Sequence, residues 1–311
     1  MFTKNKTKFH WLAQESAPRE FPMRVINGTF YYHNQDDGLY VPTAASITPG
    51  WGNGRSVHVV GDDYKALPDR LDIRFFSFWE NKLYHGNFDL PYDKILALFK
   101  EGVERDKERP IFKKIIVGLA PGGLVAVWVG GRETREVFFG QAVPYEADIY
   151  TPLGSLIENR KEYAESYLQD LPPEVYQKIK KEGIPFGLWE KYRKTYPWNF
   201  AFTPGKQINS FGVSFFNGES QRIATPIQPE HNAKPIPLSV SFTSEFPSDK
   251  TKYVYSIGFD FEETSDVMKQ LSANGKEVTL IIDPRLPKNT TRISLSNDEE
   301  TIELKKIIHK W

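Results

Sequence analysis

The residues best suited to binding a ligand or a partner lie in one long loop, 48-TPGWGNGRSVHVVGDDYKALPD-69. Trp51 stands between two glycines, and Asp62, Asp63 and Tyr64 follow it in the same loop. Exposed aromatic rings beside carboxylates are typical of recognition surfaces, and a loop of more than about 15 residues is usually functional. The sequence therefore predicts a ligand-binding site at Trp51, Asp62, Asp63 and Tyr64. The alternative for Trp51 is that its ring closes the end of a sheet core.

Two acidic pairs raise the question of calcium binding or acid–base chemistry. Asp36-Asp37 precedes Gly38, and Asp62-Asp63 follows Gly61. Neither pair shows the alternating acidic spacing of a calcium loop, and Asp next to Gly is typical of turns. We therefore interpret both pairs as turn residues, with calcium or acid–base work as the alternative.

The glycine-rich stretch 116-IVGLAPGGLVAVWVGG-131 resembles a phosphate-binding loop only in composition. A phosphate loop needs a Lys followed by Ser or Thr and then a helix, whereas strand-forming residues follow here. Pro121 and Gly122 are suited to the two central positions of a type II turn. We predict a β-hairpin with a water-exposed turn at Pro121–Gly123 and no bound anion.

Other patterns of catalysis are missing from the sequence. None of the six histidines pairs with a ligand at helical metal spacing, and there is no Gly-x-Ser-x-Gly or Gly-x-Gly-x-x-Gly motif. Because the chain has no cysteine, disulfides, thiolate catalysis and zinc–thiolate sites are excluded. The sequence predicts no catalytic residue, no metal and no cofactor.

The charge balance and the hydropathy limit the partners. Lys plus Arg and Asp plus Glu number 40 each among 311 residues, so the formal charge is zero and nothing favours nucleic acid. No apolar run is long enough to cross a membrane. The N-terminal residues lack an apolar run of signal-peptide length, so we expect a cytoplasmic protein, or an envelope protein if a signal was removed.

Three stretches of the chain recur in the same order, which predicts an internal duplication. The first recurrence is the Phe…Asn-Gly pattern at 21–28 and 211–218. The other two are the Pro-x-x-Leu strands that begin at Pro68 and Pro235, and the Tyr…Phe-Asp pattern at 84–89 and 255–260. Period-two alternation around these repeats indicates strands. The predicted fold is α+β, with two similar antiparallel-sheet-plus-helix domains.

Each predicted domain carries one helix, Pro91–Glu101 or Glu262–Ala273. Asp89 and Asp260 stand where an N-cap would accept a hydrogen bond from a free N–H group. Gly102 and Asn274-Gly275 stand where these helices would end. The alternative is that the two aspartates share one site.

The segment between the repeats has a helical pattern. A capping box at Ser155 predicts one helix, and further helices are expected at Val175–Glu182, ended by Gly183, and at Pro185–Tyr196. The predicted organisation is therefore a first domain at 1–150, a helical connector at 151–196 and a second domain at 197–311.

Three motifs resemble those of the bacterial family called domain of unknown function 2931. They are Ser77-Phe-Trp-Glu80, Leu90-Pro91 before a helix, and the hairpin from Val117 to Trp128, with 50-GWGNG-54 and 139-FGQA-142 on either side. The resemblance covers about residues 9 to 145 and implies no catalytic residues. Many members look like lipoproteins, from which this sequence departs because it has no signal and no cysteine. Some lie beside antibacterial toxins, which implies an immunity role.

Two functions follow as hypotheses. The first is a non-catalytic binding protein that sequesters a protein partner, such as a toxin. The alternative is a protein that binds carbohydrate or another envelope component, or an unrecognised hydrolase acting there. In that alternative Trp51, Tyr64 and Trp79 stack on sugars, and Asp62 or Glu80 supplies a polar contact.

Overall fold

β-strands are the commonest regular structure among the described residues, and many of them alternate apolar with polar side chains. The computed structural model describes residues 7–56, 59–205, 207–225, 232–246 and 251–309. In the strand Pro68–Ser77, Leu71, Ile73 and Phe75 are fully buried, while Asp72 and Arg74 reach solvent. This is the alternation that a half-buried strand requires. Within the described residues five α-helices accompany the sheets, so the predicted α+β class is confirmed.

The chain divides into two compact units, residues 1–188 and 189–311. The division into 1–150, 151–196 and 197–311 was based on composition and stays a prediction. Two helices of the predicted connector, α2 (Arg160–Leu168) and α3 (Pro173–Glu182), belong to the first unit. Ala164 and Leu168 of α2 are buried against Phe76, Phe78 and Leu83.

The first unit has one further long helix, α1 (Tyr92–Arg105), and its described residues form eleven strands. These are β1 (Lys8–Phe9), β2 (Leu12–Ser16), β3 (Met23–Tyr32), β4 (Gly38–Tyr40), β5 (Lys65–Ala66), β6 (Pro68–Ser77), β7 (Lys82–Asp89), β8 (Phe112–Ala120), β9 (Leu124–Gly131), β10 (Thr134–Gln141) and β11 (Val143–Tyr145). One sheet has the order β11-β7-β6-β3-β4, and β1 pairs with β5. The strands β2, β8, β9 and β10 lie side by side, with β2 parallel to β8.

The second unit begins within the short helix α4 (Leu188–Lys191) and contains the helix α5 (Phe261–Leu271). Its strands are β12 (Thr195–Phe202), β13 (Gln207–Phe215), β14 (Ser220–Ile223), β15 (Ala233–Pro235), β16 (Pro237–Glu245), β17 (Lys252–Phe259), β18 (Val278–Asp283), β19 (Arg292–Ser296), β20 (Thr301–Glu303) and β21 (Ile307–His309). One series has the order β14-β13-β16-β17-β21. The other has the order β15-β12-β18-β19-β20, with β12 parallel to β18.

Two of the three sequence recurrences lie at corresponding positions on paired strands. Phe75 pairs with Tyr84 across β6 and β7, and Phe242 pairs with Tyr255 across β16 and β17, so the second and third recurrences occupy corresponding positions. The first recurrence does not. Gly28 lies in the middle of β3, whereas Gly218 lies in the turn after β13 with a φ of 89°.

The predicted hairpin at Pro121–Gly123 is confirmed, but its exposure is not. Strands β8 and β9 pair up to Ala120 and Leu124, and Gly122 has φ 80° and ψ 11°, as the third residue of a type II turn requires. Pro121 and Gly123 are nevertheless buried, because the turn folds onto other parts of the first unit.

The prediction that Asp89 caps α1 is wrong. Asp89 pairs with Arg70 as the last residue of β7, and the N-cap position is taken by Pro91, which makes no side-chain hydrogen bond there. Gly102 also does not end this helix. It is buried inside α1, where an added Cβ would come 2.9 Å from the ring of Phe112. Close helix–sheet packing therefore explains this glycine.

In the second unit the capping prediction is confirmed. The Asp260 carboxylate accepts a hydrogen bond from the N–H of Glu263 at 2.9 Å and begins α5. Glu263 does not return the bond as a capping box would. Its carboxylate instead accepts from the N–H groups of Lys305 and Lys306 at 2.8 and 2.7 Å.

The helices between the repeats also differ in part from the prediction. Helix α2 begins after Asn159, whose side chain accepts from Glu162, and not at Ser155. Helix α3 ends at Gly183, as predicted, with a φ of 82°. The third helix is reduced to α4, because the residues from Thr195 onward form β12.

Candidate functional site

Asp62 and Tyr64, two of the four predicted site residues, line one cavity of about 430 Å³ in the first unit. Its walls come from the end of β3, the turn into β4, strand β4 and the segment that leads into β5. Tyr32, Asp37 and two lysines, the exposed Lys8 and the buried Lys65, also line it. We call this space, with its Asp37 and Asp62 carboxylates, the acidic cavity.

The turn between β3 and β4 positions Asp37. The N–H of Tyr32 donates to the backbone oxygen of Asp37 at 2.9 Å, which closes the turn. Asn34 takes a φ of 57° within it, a conformation that Asn adopts more readily than most residues. The Asp37 carboxylate accepts a hydrogen bond from the N–H of Gly38 at 2.7 Å. The carboxylate is thereby held at the edge of the cavity.

The segment that carries Asp62 and Tyr64 is anchored by a buried lysine. Lys65 is only 5% exposed, and its ammonium group donates to the backbone oxygen of Trp11 at 3.3 Å. In return the indole N–H of Trp11 donates to the backbone oxygen of Ala66 at 3.0 Å. We call this reciprocal pair of bonds the Lys–Trp clasp. It fixes β5 beside β1, and so fixes the cavity wall.

The charges of the carboxylates in and beside the acidic cavity influence the pKa values of Tyr32 and Lys65. The pKa of Tyr32 is raised, first by burial and then by the nearby charges of Asp37 and Asp62. Burial lowers the pKa of Lys65, and the charges of Asp63 and Asp62 oppose that change. Asp62 is thus close enough to both Tyr32 and Lys65 for its charge to act on them.

Large side chains around the same cavity are exposed to solvent. Tyr64 is 56% exposed and Tyr40, on β4, is 44% exposed. Val59, which precedes the lining residue Val60, is 70% exposed. Soluble proteins usually leave apolar groups exposed singly, so a cluster beside two carboxylates indicates a contact surface.

The structure places Trp51 in a different environment. Its ring meets the ring of Trp128 edge to face, with centroids 4.9 Å apart, and it packs against a cluster that includes Ile116 and Ala126. A Cβ at Gly118 would lie 2.3 Å from the Trp128 ring and 3.0 Å from the Trp51 ring. Trp51 is therefore half-buried on the sheet. Asp63 is exposed and acts on Lys65 through its charge.

Sequence reasoning missed Tyr32 and Lys65 as cavity residues and interpreted Asp37 as a turn residue, with calcium or acid–base work as the alternative. Tyr32 and Asp37 precede Asp62 by 25 residues or more, and only the pairing of β1 with β5 and of β3 with β4 brings these parts together. No local signal marked Lys65, because a lysine two residues after Asp63 is expected to be exposed, whereas it is only 5% exposed.

A second cavity, of about 300 Å³, also has Tyr64 in its lining. Phe9, Phe99 and Phe112 contribute its apolar part, and each of them is at most 3% exposed. We call it the phenylalanine cavity. Tyr64 is thus common to two cavities of different chemistry.

The motifs shared with the resembling family contact one another around the Pro121–Gly123 turn. The Glu80 carboxylate accepts from the N–H of Gly122 at 3.0 Å, and from the hydroxyl of Tyr84 at 2.7 Å. From 139-FGQA-142, the side chain of Gln141 donates to the oxygen of Gly122 at 2.8 Å. These contacts make the motifs structural and leave the acidic cavity outside them.

Neither a cluster of metal ligands nor a membrane-spanning helix occurs in the described part of the chain. Within the described residues no three His, Asp or Glu side chains come together as metal ligands, and His58 and His231 lie outside those residues. The part of the chain that the structure describes has no helix long and apolar enough to cross a membrane.

Comparison with known proteins gives one positive result. The sequence pattern of the family described as protein of unknown function, DUF2931, matches residues 2–187. No curated protein and no solved structure matches the chain. The match spans more than half of the chain and agrees with the motifs around Glu80 and Gly122. The chain therefore belongs to the DUF2931 family of proteins of unknown function.

Proposed function

We propose that this protein is a non-catalytic binding protein that holds a protein partner at the acidic cavity. The observation that carries the proposal is the convergence of Asp37, Asp62 and the exposed ring of Tyr64 on one cavity. Tyrosine rings supply large contact areas at interfaces, and carboxylates select a partner of opposite charge. The partner surface that fits is a basic segment.

The chemistry of the lining favours binding over catalysis. Within the described part of the chain, the lining of the acidic cavity contains no histidine, serine or threonine that would serve as a base or nucleophile. Of its two lysines, Lys65 is occupied with the backbone of Trp11, and Lys8 is exposed to solvent. Charged and aromatic groups on a pre-formed wall are what a binding site needs.

An immunity-type role is the form of this proposal in which the partner is a toxin. The acidic cavity supports it because a carboxylate-lined surface can cover a basic surface of another protein. The expected complex would weaken as ionic strength rises, because the contacts between exposed charges are screened by salt.

Carbohydrate binding is the second candidate, and the observation that favours it is the exposure of Tyr40 and Tyr64 beside Asp62. Trp79 and Glu80, which the sequence also suggested as sugar contacts, have other partners. The Trp79 ring packs on Tyr176 at 5.5 Å, and the Glu80 carboxylate is bound to Gly122. Only the groups around Tyr64 remain for a sugar.

The proposal is tested by quantitative affinity capture from the native cell lysate, with matched variants of this protein as bait. The bait is the full chain as wild type, Asp62→Asn or Tyr64→Ala, with Asp170→Asn and Tyr150→Ala as exposed controls outside the cavity. We expect one protein to be retained by the wild type and both controls, and to be depleted at least about tenfold by either cavity variant. Capture that is equal for all five baits would contradict the proposal. A glycan bound in a Tyr64-dependent manner, without a protein, would support the carbohydrate alternative.

We also propose that the two units descend from one sheet-plus-helix repeat, with 151–196 as the connector. Corresponding strand orders, β4-β3-β6-β7-β11 and β14-β13-β16-β17-β21, support it. In addition, α1 lies between β7 and β8, as α5 lies between β17 and β18.

A second Lys–Trp clasp supports the same proposal. Lys234 donates to the backbone oxygen of Trp198 at 3.0 Å, and the Trp198 indole donates to the oxygen of Pro235 at 3.1 Å. Superposition of the units is the test. It should align Lys65 with Lys234 and α1 with α5 together, and an alignment of either helix with a strand would contradict common descent.

A further inference from the structure

The phenylalanine cavity lies between three elements of the first unit. Phe9 comes from β1, Phe99 from α1 and Phe112 from the start of β8, and the rings of Phe9 and Phe99 are 5.3 Å apart. Val103, one turn after Phe99 on α1, completes the apolar wall. A concave, largely pre-formed site with an apolar lining is the usual form of a small-molecule site.

The lining of this cavity also carries positive charge. Lys107 and Lys113 line it and are exposed, as is His10, and the one lining carboxylate is Glu108. The acidic cavity, which shares Tyr64, has two aspartates as well as two lysines in its lining. A lining that combines lysines with phenylalanine rings favours a ligand with a negative head and an apolar body.

The size of the cavity restricts that ligand. About 300 Å³ is at the lower end of the range for small-molecule sites. A medium-length alkyl chain or a single aromatic ring system fits such a space, whereas a folded protein surface does not enter it. The lysine ammonium groups pair best with a carboxylate, sulfonate or phosphate.

We propose that the phenylalanine cavity is a binding site for an amphipathic anion, which places its apolar body against Phe9, Phe99 and Phe112 and its head group beside Lys107 and Lys113. The proposal does not rest on the function proposed for the acidic cavity. A soluble carboxylate and the anionic end of a membrane lipid share this chemistry.

Calorimetric titration of the full chain with three eight-carbon probes tests the site. Octanoate has the proposed chemistry, octanol has the same chain without charge, and octylammonium has the opposite charge. We expect octanoate to bind most tightly, since only its head pairs with the lysines. Vesicles of phosphatidylglycerol in phosphatidylcholine form the lipid arm, and binding there that the same variants remove would identify a lipid as the source.

Matched variants separate the head-group contact from the apolar contact. The double variant Lys107→Gln, Lys113→Gln should lower the affinity for octanoate about tenfold and leave the affinity for octanol unchanged. Val103→Trp should fill the cavity and lower the affinity for both octanoate and octanol. The control pair Lys178→Gln and Lys181→Gln, on the exposed face of α3, should change neither.

Two results would overturn the proposal. One is the absence of octanoate binding by folded wild-type protein at millimolar concentration. The other is octanoate affinity that stays the same in the Lys107→Gln and Lys113→Gln pair. Because these substitutions are at exposed positions, circular dichroism should show that the pair folds even if Val103→Trp does not.

Discussion

The carboxylate of Glu80 accepts a hydrogen bond from the backbone N–H of Gly122 at 3.0 Å, across 42 residues of the chain. Its other oxygen accepts from the hydroxyl of Tyr84 at 2.7 Å. Burial, followed by this bond and the Glu80 charge, raises the pKa of Tyr84. One carboxylate thus joins the tip of the β8–β9 hairpin to β7.

Substitution of Glu80 should therefore reduce stability. In Glu80→Ala, the N–H of Gly122 and the hydroxyl of Tyr84 lose their acceptor, so we expect a loss of about 1–3 kcal/mol. Glu80→Gln keeps one carbonyl oxygen and should lose less. Urea unfolding gives the comparison, with the exposed Glu104→Ala as control. Equal stability of Glu80→Ala and Glu104→Ala would show that the bond contributes nothing.

Three glycines with positive φ form a graded series. Gly154 has a φ of 85° and nothing within 4 Å of an added Cβ, and at Gly122 that atom would have only ordinary contacts with the ring of Phe186. At Gly123 it would lie 2.6 Å from the backbone oxygen of Ala142 and 2.7 Å from the Tyr84 ring. The strain is shared by all three, but the clash is specific to Gly123.

Alanine substitutions should follow that order. Gly154→Ala and Gly122→Ala should each cost on the order of 1 kcal/mol from backbone strain, and Gly123→Ala should cost clearly more. Thermal unfolding of the three variants checks the ranking. If Gly123→Ala is no less stable than Gly154→Ala, the packing described for the turn is wrong.

Alkaline pH should destabilise the second unit through Tyr255. Burial raises the pKa of Tyr255 to about 12, and the charge of Tyr253 adds to this. In the unfolded chain a tyrosine ionises near pH 10. The contribution of the neutral form is therefore fully present below about pH 10 and is lost as the pH rises through 12, at up to about 1.4 kcal/mol per pH unit.

The measurement is the slope of unfolding free energy between pH 9.5 and about 11.5. Tyr255→Phe should reduce the slope, whatever it costs at neutral pH by removing the bond to the backbone oxygen of Arg285. Tyr150→Phe, which removes a half-exposed hydroxyl, should retain the wild-type slope. An unchanged slope in Tyr255→Phe would refute the argument.

Local sequence patterns predicted the strands, the hairpin and the cap at Asp260, because each depends on neighbouring residues. The corresponding cap at Asp89 failed because cross-strand pairing with Arg70 extends β7 to that residue. The prediction that Gly102 ends α1 failed for a similar reason, because this glycine is required by its tertiary contact with Phe112. Propensity is a weak guide where packing decides.

The candidate site could likewise be predicted only in part from the sequence. Asp62 and Tyr64 were visible as polar and aromatic residues in a long loop, but the partners Tyr32 and Lys65 depend on strand pairing that no local pattern encodes. Trp51 looked similar to Tyr64 in the sequence. What separates them is the Trp128 ring, which is 77 residues away in the chain and 4.9 Å away in space.

The rings of Trp51 and Tyr64 should therefore differ in what they contribute to stability. Trp51→Ala removes a half-buried ring from its contacts with Trp128 and Gly118, so it should cost roughly 3 kcal/mol. Tyr64→Ala removes a ring that is 56% exposed and should change stability by less than about 1 kcal/mol. For a chain of this size, 1 kcal/mol corresponds to about 1.5 °C in Tm, so a loss of 3 kcal/mol corresponds to about 4–5 °C. Differential scanning calorimetry of both variants should show a clear fall in Tm for Trp51→Ala alone, whereas binding at the acidic cavity should depend on Tyr64. A fall of less than about 2 °C for Trp51→Ala would return Trp51 to the recognition surface, because a ring that stabilises nothing has no structural reason to be held there.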